Sequence, residues 1–298
     1  MESVKGFFDL CVNEASINES TIKTLYKHGY RTIAINYEVN EEEQVENRPQ
    51  GKKKRKGENQ ANEPEKSLFP QVKPFSPIEG CDGLTVLFRL TVHLATKEFY
   101  AKISKMSEFK KFHIIAVLPL NQQIFSVCCT EIEADILTFK SHYKAEFKVL
   151  RKHYNQCLAH GYHFELLYAP TITNESSRRV MISNAHSLHV VGKSRNVIIS
   201  SGIKSAVQIR SPYDVINLGL IFGLNQAQSK MAVMQNGRNV YCHAVSRRYG
   251  KIAMLCTNVA PIAGGEECTQ MDVSVIELDD DDDEDVADVG HQLKKIKT

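Results

Sequence analysis

What the chain lacks removes several functional classes at once. No apolar run approaches the ~18 residues of a membrane-crossing helix. The opening MESVKGFFDLCV has neither the basic start nor the apolar core of a secretory signal, so the expectation is a soluble intracellular protein. Eight cysteines occur, at 11, 81, 128, 129, 157, 242, 256 and 268, yet no two form C-x-x-C and their spacing has no zinc-ribbon regularity. Reduced, buried thiols are the expectation. Neither G-x-G-x-x-G nor G-x-x-x-x-G-K is present, which removes the glycine-rich loops that cradle phosphates. Ser200-Ser201 has no G-x-S-x-G frame, so its hydroxyls are expected to bond backbone at a strand end rather than to attack a substrate.

Charge is present in quantity but unevenly placed. The 298 residues carry a net charge of only +2. Residues 271–298 hold ten acids and three lysines, and residues 40–80 hold eight charges of each sign, which leaves +9 on the remaining body. A basic body with an acidic tail suits a polyanionic partner and a tail that competes for the same surface. Residues 40–80 have almost no large apolar side chains before Leu68 and are expected to be a disordered insert. Inside it, KKKRK (Lys52, Lys53, Lys54, Arg55, Lys56) is a candidate nuclear-import signal or RNA-contacting arm, against the plainer reading of a solvated charge run. Residues 261–298, with DDDDDED at 279–285, are expected to be a disordered acidic tail.

Between these segments the pattern alternates. Strands are expected at 7–12, 31–39, 84–95, 113–119, 136–139, 164–169 (ended by Pro170) and 196–201. Helices are expected at 17–26, 98–107, 125–130, up to 160, from 174, and at 215–222, the last apolar on nearly every face and hence buried. SPYD at 211–214 is a near-capping-box start for it. Asn225 should cap a helix over 226–234 that Asn236-Gly237 stops, followed by a last helix over 238–248. Residues 251–257 are either an eighth strand or a covering segment. This alternation is an α/β fold with a parallel sheet, either a barrel or an open doubly wound sheet.

The pieces NVIISS, IRSPYDVINLGLIFGL and FELLYAP, with FFDL and AINYEV upstream, resemble the TIM-barrel protein subunit of ribonuclease P and RNase MRP, the thirty-kilodalton subunit family. The resemblance covers roughly residues 5–39 and 82–255. It implies one (β/α) barrel built from residues 1–39 and 81–260. It also implies a non-catalytic subunit of a nuclear, nucleolar particle whose RNA, with magnesium, does the cleavage. This chain would bind no cofactor itself. Its partners would be that RNA, other protein subunits including a Pop-five-type one, and indirectly precursor tRNA.

A barrel places chemistry at the C-terminal ends of its strands. Asp9, Asn36, Glu165, Ser200 and Ser201 would gather there, but Asp9-Leu10-Cys11 stands where metal hydrolases carry H-x-H. The pairs His186 and His189, or His160 and His163, supply no matching carboxylates. Asp9 is expected to be held by neighbouring backbone or by an arginine such as Arg89. No catalytic or metal residue is assigned. The RNA-contact candidates are Arg178, Arg179, Lys204 and Arg210 on the loops after strands six and seven, with Arg247 and Arg248 at the end of the last helix. Without aromatic stacking motifs, contacts to phosphate and shape are expected rather than base readout. The alternative function is a barrel hydrolase acting on a phosphorylated substrate.

Overall fold

The computed structural model describes residues 6–41, 69–72, 75–76, 78–145, 147–249, 252–254 and 275–277. Its first unit sets the rule for the rest. Strand β1 (Phe7–Asn13) leads to helix α1 (Glu19–Lys27) and then to β2 (Tyr30–Asn40), which lies parallel to β1. Asn18 caps α1 by accepting the Thr21 N–H at 2.7 Å, and Gly29, at φ +102°, turns the chain back.

The same unit recurs along the chain. Next come β3 (Thr85–Leu94), α2 (Lys97–Ser104), β4 (Ile114–Pro119), α3 (Gln122–Thr130), β5 (Ile136–Leu137), α4 (Arg151–Ala159) and β6 (His163–Leu167). After them run α5 (Ala169–Thr173), α6 (Glu175–Gly192), β7 (Val197–Ser200), α7 (Pro212–Ile221), α8 (Gln226–Val233) and α9 (Gln235–Tyr249). All seven strands pair in chain order and in parallel.

The sheet curls until its first and last strands meet. Val12 bridges Ile203, Gly202 N–H donates to Cys11 O at 2.7 Å, and Ser201 Oγ donates to the same carbonyl at 2.9 Å. Among the described residues this is a nearly closed TIM-type barrel with seven strands rather than eight. Strand periodicity of two separates two cores. Phe8, Leu10, Ala34, Leu87, Ile114, Ala116, Ile136 and Ile198 fill the inside, joined by Val240 and Ala244 of α9. The alternate positions, such as Ile33, Ile35, Leu90, Phe164 and Ile199, pack outward against the helices.

Several expectations change in detail. Asn236-Gly237 does not stop a helix but lies inside α9. A Cβ at Gly237 would come 2.6 Å from Phe8 Cβ, so this glycine permits the close approach of α9 to the barrel interior. Pro170 does not end β6, which stops at Leu167; it sits in the first turn of α5, where its missing N–H costs nothing. Helix α7 is not buried all round: Val215 and Gly219 face in, while Tyr213, Leu220 and Ile221 are more than half exposed. Of residues 251–257, Ile252–Met254 forms a strand, but it pairs antiparallel with Val275–Glu277 in a two-stranded sheet of its own.

The insert is also shorter than its composition suggests. Glu41 is buried and accepts the Ala95 and Thr96 N–H groups at 2.7 and 2.9 Å. Phe69 is buried against Phe112, and Val72, Phe75 and Ile78 pack on the core. These ends belong to the folded body. The sequence between them, KKKRK included, and most of the acidic tail lie outside the described residues.

Candidate nucleic-acid interface

The strand ends where a barrel enzyme would hold its chemistry are occupied by side chains bonded to one another. Arg89 and Glu165 face each other inside the barrel, each almost fully buried, as a two-pronged ion pair at 2.5 and 2.6 Å. Arg89 also donates to Leu10 O at 2.8 Å and to Thr91 Oγ1 at 3.2 Å. Thr91 passes the chain on to Asn36 Oδ1 at 2.6 Å, and Asn36 to Glu38 at 3.1 Å. A hydrogen bond with His93 is the first cause that holds the Glu38 carboxyl below its usual range.

Asp9 takes the backbone rather than Arg89. Its Oδ1 accepts the Ser201 N–H at 2.9 Å and the Cys11 N–H at 3.3 Å, across the seam between β1 and β7. Burial pushes its pKa up to about 6. The carboxylate therefore closes a gap in the barrel ladder. Among the described residues no group of three or more His, Cys, Asp or Glu is placed to hold a metal ion.

Four of the six basic candidates share the rim at this same end. Arg178 Nε donates to Thr171 O at 2.8 Å, which keeps its stem against the α5 turn. Arg179 pairs with Glu175 one turn earlier, both exposed, an interaction worth at most about 1 kcal/mol. Lys204 is exposed, its backbone N–H held by Gln208 at 2.8 Å. Arg210 uses one guanidinium nitrogen to brace its own loop, donating to Val207 O and Ile209 O at 2.9 Å. It also lines an open groove of about 460 Å³ with Ile172, Asp214, Asn217, Leu218 and Ile221. Ser211 caps α7 through the Asp214 N–H, and Asp214 takes the Ser211 hydroxyl instead of pairing with Arg210.

The other two candidates lie at the opposite end of the barrel. Arg247 is fastened to Asp135, with Nη2 to Oδ2 at 2.9 Å and Nε to Oδ1 at 3.1 Å, and it donates to His113 O at 3.3 Å. Asp135 is fully buried at the start of β5 and also accepts the Ile115 N–H at 2.8 Å and His243 Nδ1 at 2.7 Å. Arg247 is thus a clamp that holds α9 under the barrel, away from the rim. Arg248 is exposed beside it. Burial first, then the Arg248 charge, hold the His113 imidazole down to about 4, and His113 Nδ1 accepts the Phe88 N–H at 3.0 Å.

Sequence reasoning missed Asp135, His243 and the pairing of Arg89 with Glu165. Arg89 and Glu165 were legible as charged residues in apolar strands, which demands a partner. Nothing in local pattern links Asp135 to residues more than a hundred positions later.

A family model described as "RNase P subunit p30" matches residues 6–249. The chain is 36% identical over 167 residues to ribonuclease P protein subunit p30 of Mus musculus, covering 55% of this chain and 62% of that one. The match thus spans less than two thirds of the mouse relative's length. Against the probable ribonuclease P protein subunit 3 of Schizosaccharomyces pombe, identity is 27% over 229 residues, covering 76% and 86%. A solved chain from archaeal ribonuclease P, determined by cryo-EM with mature tRNA, superposes at a TM-score of 0.57 and 14% identity, covering 87% of this chain and all of that one. At that identity the likeness is one of fold. With the family match running from β1 to the end of α9, the chain belongs to the RNase P subunit p30 family.

Proposed function

We propose that this chain is a non-catalytic protein subunit of nuclear ribonuclease P, and of RNase MRP. In it an RNA performs the cleavage, with magnesium held by that RNA. The particle's work is maturation of precursor tRNA 5′ ends and, for MRP, processing of precursor rRNA. The family match across residues 6–249 carries this reading. The geometry agrees with it: the polar groups inside the strand ends bond one another, and basic side chains face outward at the rim. The partners are the particle's RNA and its other proteins, a Pop-five-type subunit among them. Sequencing the RNA recovered with the tagged chain tests this. Enrichment of ribonuclease P and MRP RNAs is expected; a purified, RNA-free chain that hydrolyses a phosphorylated substrate would overturn it in favour of a barrel hydrolase.

Arg210→Ala, and Arg178→Ala beside it, should weaken RNA binding for many sequences alike. One lost phosphate contact lowers the slope of log affinity against log salt by roughly 0.7–0.9. An unchanged slope with a lowered melting temperature would mean that Arg210 only braces the loop through Val207 O and Ile209 O.

The reading places the chain in the nucleus and, more finely, the nucleolus. Replacing Lys52–Lys56 with alanines should shift a tagged chain toward the cytoplasm if KKKRK is the import signal. Unchanged nuclear accumulation would point to import with a partner.

A further inference from the structure

The turn from α6 into β7, at the barrel end opposite the rim, holds its backbone in an uncommon form. Lys193, Ser194 and Asn196 have φ of 56°, 55° and 54°. Asparagine tolerates that region, but lysine seldom occupies it. Lys193 is the first residue beyond α6, and its N–H donates to His189 O at 2.9 Å. Glycine is the usual occupant of such a position, because it has no Cβ to crowd the backbone. The neighbouring Gly192 answers a different need: a Cβ there would fall 2.0 Å from the Tyr154 ring. A glycine at 193 would relax the turn, yet the chain keeps a lysine.

The backbone of this turn is anchored from several sides. Tyr154 donates its hydroxyl to Arg195 O at 2.5 Å, and Gln228 Nε2 donates to Lys193 O at 2.9 Å. Asn196 Nδ2 donates to Tyr162 O at 3.2 Å, and Ser194 Oγ meets His189 Nδ1 at 3.1 Å. Lys193 and Arg195 stay outside, exposed on either side of buried Ser194. Among the described residues the Lys193 ammonium meets no carboxylate, and Arg195 has only a long 3.4 Å bond to Asn155.

Cations predominate in the segment that carries the turn, and Asp135, buried at the same barrel end, is engaged by Arg247 and His243. Residues 147–249 contain thirteen Lys or Arg and three Asp or Glu. The three acids are already engaged: Glu165 with Arg89, Glu175 with Arg179, and Asp214 with Ser211. Helices α4, α8 and α9, around the turn, contain none. Arg151 and Lys152 lie one turn before Asn155 on α4, on the flank that meets Arg195. A protein interface interleaves both signs with apolar contacts; a turn flanked by three helices without an acid fits a continuous polyanion.

We propose that the Lys193–Arg195 turn grips the phosphodiester backbone of RNA at the strand-N-terminal end of the barrel, a second contact opposite the Arg178–Arg210 rim. This rests on the subunit reading above. Its mode is phosphate contact from a preset turn, indifferent to base sequence.

The full chain, its Lys193→Gly, Lys193→Asn and Arg195→Ala variants, and Arg210→Ala are each titrated with a transcript of the particle's own RNA at several salt concentrations. Melting temperature is measured alongside. Lys193→Gly should melt no lower than the parent, because it relaxes the turn, while its salt slope falls by roughly 0.7–0.9. Lys193→Asn, neutral but at ease with the same backbone, should lose as much. With Arg195→Ala added, the fall should about double. An unchanged slope in the Lys193 variants, with Arg210→Ala still lowering it, overturns this inference and leaves the subunit reading standing. A parent chain that does not bind the transcript overturns both. Loss of a protein subunit from the purified particle with the RNA slope intact would assign the turn to a protein and also overturn the proposal.

Discussion

Glu165→Ala is expected to lower the free energy of unfolding by about 3–5 kcal/mol, the range for removing one partner of a buried ion pair. Arg89 is 1% exposed and would be left as a charge inside the barrel, with Leu10 O and Thr91 Oγ1 as its remaining bonds. The cost comes from stranding that charge and says little about the net worth of the pair. An apolar replacement of both, Arg89→Met with Glu165→Leu, should therefore recover most of the loss. Denaturant titration of the parent and the two variants decides it. A Glu165→Ala protein within about 1 kcal/mol of the parent would mean that water reaches the guanidinium and that the barrel interior is wetter than the packing suggests.

Asp135→Ala is expected to cost a similar amount, about 3 kcal/mol, by a different route. It strands the Ile115 N–H, the Arg247 guanidinium and His243 Nδ1 together. Two of those belong to α9, so the damage should be local as well as global. Amide exchange should quicken in α9 around residues 240–248 before it quickens in β3 or β4. Uniform quickening through the whole barrel would show that the Asp135 bonds support β4 and β5 rather than fasten the helix.

The strand order was legible because each strand carries its own signal. In β3, Leu87, Arg89, Thr91 and His93 alternate with outward apolar positions, and capping residues such as Asn18, Ser211 and Asn225 mark helix starts by local hydrogen bonding. Apart from the boundary at Pro170, what failed to show was non-local. Gly237 looks like a helix stop until Phe8, far away in sequence, is seen to need the space of its missing side chain. Arg247 looks like one more surface cation at a helix end until Asp135 is found beneath it. The α7 run VINLGLIFGL reads as core by composition, and nothing local says that Leu220 and Ile221 face outward. At the rim the residue types were legible, and the loops after β6 and β7 do place Arg178, Arg179, Lys204 and Arg210 at one end. The opposite end was invisible, because the left-handed backbone at Lys193 has no glycine to announce it.

The seam that closes the barrel also sets a clock. The bond from Ser201 to Asp9 joins residues 192 positions apart. Contacts of such separation form late, since the chain must give up its freedom across the whole loop before they repay it. Strand β1 leaves the ribosome well before β7 and waits for it with one edge unpaired. An unpaired edge invites a strand from another molecule, and a charge on it discourages one. Asp9 lies on that waiting edge in its ionised, hydrated form. The carboxylate that finally seals the barrel is thus also its guard through the interval of synthesis.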